Sequence, residues 1–134
     1  MAVALLETNA VSDLMRDQAQ IKARATAFAG QIITCSIVRG EIRFGIDRMA
    51  AGKKKNDLEK RALVVFTSIR CEPITPQIAD IYGPIRASLE AKGLPLDDND
   101  LWIAASALSL GAILVTRDQV FGQVPGLMVE DWTT

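Results

Sequence analysis

Four carboxylates, Glu7, Glu41, Asp100 and Asp118, stand in settings where an acid is costly or exposed to chemistry. Glu7 and Asp118 each follow a short apolar run, Ala2–Leu6 and Ala112–Thr116, that reads as a buried strand. Glu41 sits on the edge of an apolar helical stripe, and Asp100 opens a very apolar helix. A carboxylate facing a core costs several kcal/mol unless something pairs it, and either an arginine or a metal ion can do so. The chain has no histidine, and its two cysteines, Cys35 and Cys71, form no CxxC pair. Zinc patterns and histidine-based triads are therefore excluded. Chemistry must rest on carboxylates, hydroxyls, lysine or arginine. Each acid also has a structural reading. Asp97 and Asp98 read as helix caps, Asp100 as a capping-box partner of Asp97, Asp118 as a turn residue and Glu41 as a salt-bridged core residue. The sequence leaves open whether the four converge.

The elements that would position them alternate between short β-type runs and helices. After Glu7, Thr8 or Asn9 is expected to cap a helix from about Ala10 to Arg16, and a second helix from Ala19 is expected to end at Gly30. Gln31–Thr34 reads as a strand. Ser36 is expected to cap a helix over 37–51 with a stripe of Val38, Ile42, Gly45 and Met49, and Lys53–Lys55 to form an exposed turn. A helix over 57–69, a strand over 71–75, a helix over 77–91, the apolar helix to Leu110 and strands over 112–116 and 127–130 complete the order. The pattern predicts an α/β fold with a parallel sheet, in a single domain of residues 1–134. Strand ends carrying acids would then share one rim.

Composition bounds the class. Apolar residues make up 49% of 134, enough for one core. No run is long enough to span a membrane, and Met1–Leu6 does not read as a signal peptide, so a soluble cytoplasmic protein is expected. Net charge is −1, which argues against binding nucleic acid through bulk charge. The charge is nevertheless segregated. Residues 39–61 hold eight basic and four acidic side chains, whereas residues 97–134 hold six acids and one arginine. That arrangement fits a metal site beside a phosphate-binding surface, and also fits a solvated helix surface.

Four segments carry a resemblance. Leu5-Leu6-Glu7-Thr8-Asn9-Ala10-Val11-Ser12 is similar to the opening strand and Asp-Thr-Asn of PIN-domain ribonucleases. Ser36-Ile37-Val38-Arg39-Gly40-Glu41-Ile42-Arg43-Phe44-Gly45 and Asn99-Asp100-Leu101-Trp102-Ile103-Ala104-Ala105 resemble their second and third acidic segments. Leu114-Val115-Thr116-Arg117-Asp118, followed by Val124-Pro125-Gly126-Leu127, resembles the fourth and the C-terminal signature. In order and length the chain resembles toxins of the VapC type. The resemblance implies a three-layer α/β/α fold and Mg²⁺ or Mn²⁺ held by Glu7, Glu41, Asp100 and Asp118. It implies that Thr116, with Thr8 or Asn9 in support, orients water or a carboxylate. The implied reaction is metal-assisted hydrolysis of an RNA phosphodiester, in tRNA or rRNA, with Arg39 and Arg43 or the Lys53–Lys55 turn as candidates to hold the RNA backbone. The implied partners are a cognate antitoxin that blocks the acidic pocket, a second toxin copy in a homodimer, and operator DNA reached only through the antitoxin.

One position departs from the family pattern. Glu7 stands where the family has Asp, and its extra methylene moves the carboxylate outward by about 1.5 Å, whereas productive geometry tolerates roughly 0.5 Å. Glu7 is either accommodated by a small shift or an attenuating substitution, and the second is the expectation. A rival reading of the same fold is a catalytically silent adaptor that binds protein or RNA. A phosphoacceptor receiver domain is disfavoured, because only one acid follows the first strand and Cys71–Thr75 offers no aspartate.

Overall fold

A computed structural model describes all residues 1–134. Five strands, β1 (Ala2–Leu6), β2 (Gly30–Cys35), β3 (Arg70–Glu72), β4 (Ile113–Val115) and β5 (Val129–Glu130), form one sheet in the order β3-β2-β1-β4-β5. Every pairing is parallel. Six helices connect them: α1 (Thr8–Met15), α2 (Ala19–Ala27), α3 (Ser36–Asp47), α4 (Lys53–Ser68), α5 (Pro76–Ala91) and α6 (Asp98–Ser109). The result is the expected three-layer α/β/α arrangement, a central parallel sheet flanked by helices.

β1 is the strand on which the molecule is organised. Ala4, Leu5 and Leu6 are wholly buried, as a central strand covered on both faces requires. From β1 the chain steps outward through β2 to β3, then returns to place β4 on the other side of β1. The boundary between β1 and β4 is therefore the point where strand order reverses, the crevice in which open α/β sheets bind ligands. Leu6 and Val115 are register partners there, so Glu7 and Thr116 leave the sheet side by side.

Local chemistry shifts several boundaries from those the sequence predicts. Glu7 takes the N-cap position of α1, and Thr8 and Asn9 fall in its first turn, freeing both side chains for longer-range contacts. Gly30 opens β2 opposite Ala2 and does not end a helix; α2 stops at Ala27, and a side chain at Gly30 would meet the Ala2 carbonyl. Cys35 is the N-cap of α3, and Ser36 already lies inside the helix. The buried residues of α3 are Val38, Ile42 and Ile46, while Gly45 and Met49 lie at the stripe's edge. Lys53–Lys55 is the first turn of α4 rather than a loop. Asp97 is the N-cap of α6 without a side-chain capping bond, so the capping-box reading of Asp97 and Asp100 does not hold. Gly111 adopts a positive φ of 62°, which stops α6 and lets Ala112 donate back to the Ala107 carbonyl before β4 begins. A short 3₁₀ turn over Gln119–Gln123, absent from the sequence reading, buries Phe121, and Trp132 closes the same end of the core.

Candidate active site

Glu7 lies at the carboxyl end of β1, buried to 5% exposure, with its backbone N–H donating to the Val115 carbonyl at 3.0 Å. A buried carboxylate needs partners, and three side chains supply them. Thr116 Oγ1 donates to Glu7 Oε1 at 2.7 Å, and Asn9 Nδ2 donates to the same oxygen at 2.6 Å. Asn9 Nδ2 also reaches Thr116 Oγ1 at 3.0 Å, and Asp118 N–H donates to that hydroxyl at 3.0 Å. The Thr116 hydroxyl thus accepts twice and has one proton to give, which goes to Glu7. The Arg117 N–H donates to Asn9 Oδ1 at 3.2 Å, which fixes the amide so that its nitrogen faces Glu7. All four hydrogen-bonding contacts found among Glu7, Asn9 and Thr116 and to the Asp118 N–H leave Glu7 Oε2 unengaged.

Glu41, half-buried on α3, is the second fixed acid. Thr8 Oγ1 donates to Glu41 Oε1, and Asn99 Nδ2 reaches Glu41 Oε2 at 3.4 Å. The first turns of α1 and α6 therefore both hold a side chain from α3. The neighbouring Asp100 sits in the first turn of α6, beside buried Leu101, Ile103 and Ala104. Burial, then the surrounding carboxylates Glu7, Asp97, Glu41 and Asp118, push its carboxyl up to about 7. Asp118 is exposed, and its Oδ1 caps the 3₁₀ turn by accepting from the Val120 N–H at 3.1 Å. The turn-residue role is real, and it coexists with proximity to Asp100.

The four predicted acids thus share one rim, although no three acidic or thiol side chains form a ready-made cation cage. Glu7, Glu41 and Asp118 are oriented by hydrogen bonds, whereas Asp100 is tied to the other acids through charge. The donor set nevertheless fits a hard divalent cation: it offers only oxygen ligands, and burial together with the neighbouring carboxylates raises Asp100, a cost that a bound cation would offset. Glu7 Oε2, Glu41, Asp100 and Asp118 are the groups that would hold it. Cys35 and Cys71 are free thiols, and burial pushes Cys35 up, out of the reactive range.

Arg39 and Arg43 are placed elsewhere. They line a cavity of about 520 Å³ between α3 and α4 that includes none of the four acids. Three other residues at the site were not given a role from sequence: Asn99, Asp13 and Arg117. Asn99 adjoins Asp100 in its motif and reaches Glu41 from 58 residues along the chain, a pairing that spacing does not reveal. Asp13 accepts from Arg117 Nε at 3.0 Å, one helical turn beyond Asn9, so Arg117 ties α1 to the exit of β4 twice. Asp13 lies four residues from Asn9, the spacing that puts both on one face of α1.

The profile of the PIN domain matches residues 4–127, nearly the whole sheet and all four acids. The chain belongs to the PIN-domain family. Among PIN-domain relatives, ribonuclease VapC1 of Haemophilus influenzae (strain R2866) is 31% identical over 137 residues, 98% of each chain. Ribonuclease VapC2 of Rickettsia felis is 31% identical over 102 residues, covering 75% of this chain and 74% of the relative. The PIN fold superposes with a TM-score of 0.88 on a structure of VapBC2 from Rickettsia felis bound to a promoter DNA fragment, at 26% identity and 97% and 98% coverage. A structure of VapBC-1 from nontypeable Haemophilus influenzae gives a TM-score of 0.86 at 26% identity, covering 98% and 99%. The recognition of a VapC-type PIN domain from four short segments therefore holds along the chain.

Proposed function

We propose that this PIN domain, residues 1–134 as a single unit, is the toxin of a type II toxin–antitoxin pair, an endoribonuclease that hydrolyses RNA phosphodiesters with Mg²⁺ or Mn²⁺. The observation that carries the reading is the end-to-end likeness to chains named ribonuclease VapC, together with a strand-order reversal lined by Glu7, Glu41, Asp100 and Asp118. Thr116 and Asn9 hold Glu7 by one oxygen and present the other. Thr8 and Asn99 hold Glu41. Asp100 keeps a proton near neutrality until positive charge enters the site, and Asp118 borders the opening. A divalent cation, when bound, supplies the Lewis acid that activates water and offsets charge on the phosphate. The chain's own residues orient the carboxylates.

The partners follow the same reading: a cognate VapB-type antitoxin that neutralises the site, a second copy of the toxin, and DNA contacted through the antitoxin, all in the cytoplasm. No helix is long and apolar enough to cross a membrane. RNA of the tRNA or rRNA class is the substrate. Glu7, longer than the family's aspartate, lowers activity. Incubating the protein with tRNA and rRNA in Mg²⁺, in EDTA, and as Asp100→Asn tests the reading; cleavage that survives EDTA or Asp100→Asn rejects it. The adaptor reading draws on Glu7 alone, and calorimetric titration separates the two. Heat on Mg²⁺ or Mn²⁺ addition supports the enzyme, and its absence in both wild type and Glu7→Asp supports the adaptor.

A further inference from the structure

Two cavities meet at the acidic rim. One, of about 420 Å³, is lined by Glu7, Thr8, Glu41 and, farther out, Arg16, Gly45 and Arg48. The other, of about 570 Å³, shares Thr8, Glu41, Gly45 and Arg48 and adds Ser36, Gly40 and Asn99. Sharing those four residues, they form one groove that crosses α3 and passes over Glu41.

The floor of this groove is glycine. Gly40 and Gly45 both lie inside α3, where glycine weakens a helix relative to alanine. A Cβ at either position would meet no atom within 4 Å, so packing gives no reason for glycine there. Open space on both sides of Glu41 lets a chain approach the helix closely. The flank of the groove is cationic. Of the nine arginines, six form salt bridges, and only Arg16, Arg39 and Arg48 form none. Arg16 and Arg48 line the groove. Arg48 lies over the Phe44 ring, 5.3 Å from its centroid, and Arg16 bonds to Ser12, so each guanidinium is positioned without being neutralised. Arg48 lies two turns along α3 from Glu41, about 10 Å away along the axis.

We infer that single-stranded RNA lies in the groove over Gly45, with Arg16 and Arg48 holding backbone phosphates that flank the one presented to the carboxylates. The inference rests on the ribonuclease reading and adds substrate-positioning residues to it. A cluster of acids repels a polyanion, and a strand enters only if nearby cations offset that repulsion. Unpaired guanidiniums with a fixed plane do so with bidentate geometry. Arg39, the third unpaired arginine, lies over Phe66 in the cavity that excludes the acids.

The test is fluorescence anisotropy of a labelled single-stranded oligoribonucleotide against the full chain with Ca²⁺, repeated across a salt series, alongside Mg²⁺-dependent cleavage. Arg16→Gln and Arg48→Gln are each expected to weaken binding and to lower the salt slope by about 0.7, the loss of one single-strand phosphate contact. Gly45→Leu fills the groove and is expected to weaken binding about tenfold or more, while Gly45→Ala raises Tm. Arg24→Gln, a paired arginine on α2, removes the same charge and is expected to leave binding unchanged. Variants that bind RNA like wild type with an unaltered slope overturn the groove while leaving the ribonuclease reading intact. So does loss of antitoxin binding alone in Arg48→Gln and Gly45→Leu. A wild type that neither binds nor cleaves RNA removes both readings.

Discussion

Thr116 donates its hydroxyl proton to Glu7 across 109 residues of chain, at 2.7 Å, where β1 and β4 leave the sheet side by side. Thr116 is buried, 3% exposed. Thr116→Val keeps the shape but strips Glu7 of a donor and the Asn9 amide and Asp118 N–H of an acceptor. The expected result is a stability loss of about 1–3 kcal/mol and a fall in RNA cleavage of roughly 10–100-fold. Thr116→Ser retains the hydroxyl and is expected to recover most of both. Denaturant melts and cleavage rates measured on the two variants check this, and equal loss in Thr116→Ser would assign the effect to the methyl group instead.

Much of this rim was legible because its parts sit at sequence landmarks. Glu7 and Thr116 follow runs of buried aliphatics, and Asp100 precedes a run of alanines, so strand ends and helix start could be read directly. What could not be read was the pairing between them. Nothing in the spacing tells that Thr8 leaves its capping role to reach Glu41, because that depends on Glu7 taking the N-cap position first. The arginines could not be sorted between surfaces for a related reason. Arg39, Arg43 and Arg48 all lie on or at the end of α3, and only the packing of α4 decides which cavity each one lines. Gly30 looked like a helix stop because glycine commonly is one, whereas here the close approach of Ala2 requires it.

Asp100 should make the metal-free protein less stable as pH rises. Burial and four neighbouring carboxylates raise its folded value to about 7, above the ordinary range near 4 of the unfolded chain. The folded state therefore binds the proton more tightly, and stability falls as pH rises from about 4 to about 7 and then levels off. In EDTA, Tm is expected to decline over that window in wild type and to decline less in Asp100→Asn. Mg²⁺ must displace the proton, so its stabilisation of wild type should be larger at pH 8 than at pH 6. Thermal melts at both pH values decide it; a wild-type profile that matches Asp100→Asn removes Asp100 as the titrating group.

Glu7 uses one oxygen for two hydrogen bonds and extends one methylene farther than an aspartate would. Glu7→Asp draws the carboxylate back by about 1.5 Å. The expected outcome is faster Mg²⁺-dependent RNA cleavage and tighter Mg²⁺ binding by calorimetry. Weaker binding and slower cleavage would mean that Thr116 and Asn9 are set for the longer side chain, and that Glu7 is accommodated rather than attenuating.

Gly30 and Gly40 make an opposed pair. Gly30 opens β2 against β1, and a Cβ there would lie 2.3 Å from the Ala2 carbonyl oxygen and 2.7 Å from the Phe28 ring. Backbone cannot yield as a flexible side chain can, so β1 and β2 must separate at their first register pair. Gly30→Ala is expected to cost about 1–3 kcal/mol, a fall in Tm of roughly 3–15 °C for a chain of this size. Gly40→Ala meets nothing within 4 Å and gains helix propensity, so it should stabilise by about 0.5–1 kcal/mol. Paired thermal melts read both signs. An unchanged Tm for Gly30→Ala would mean that the edge where β1 and β2 begin relaxes freely, and that the glycine is not needed to bring Ala2 and Gly30 into register.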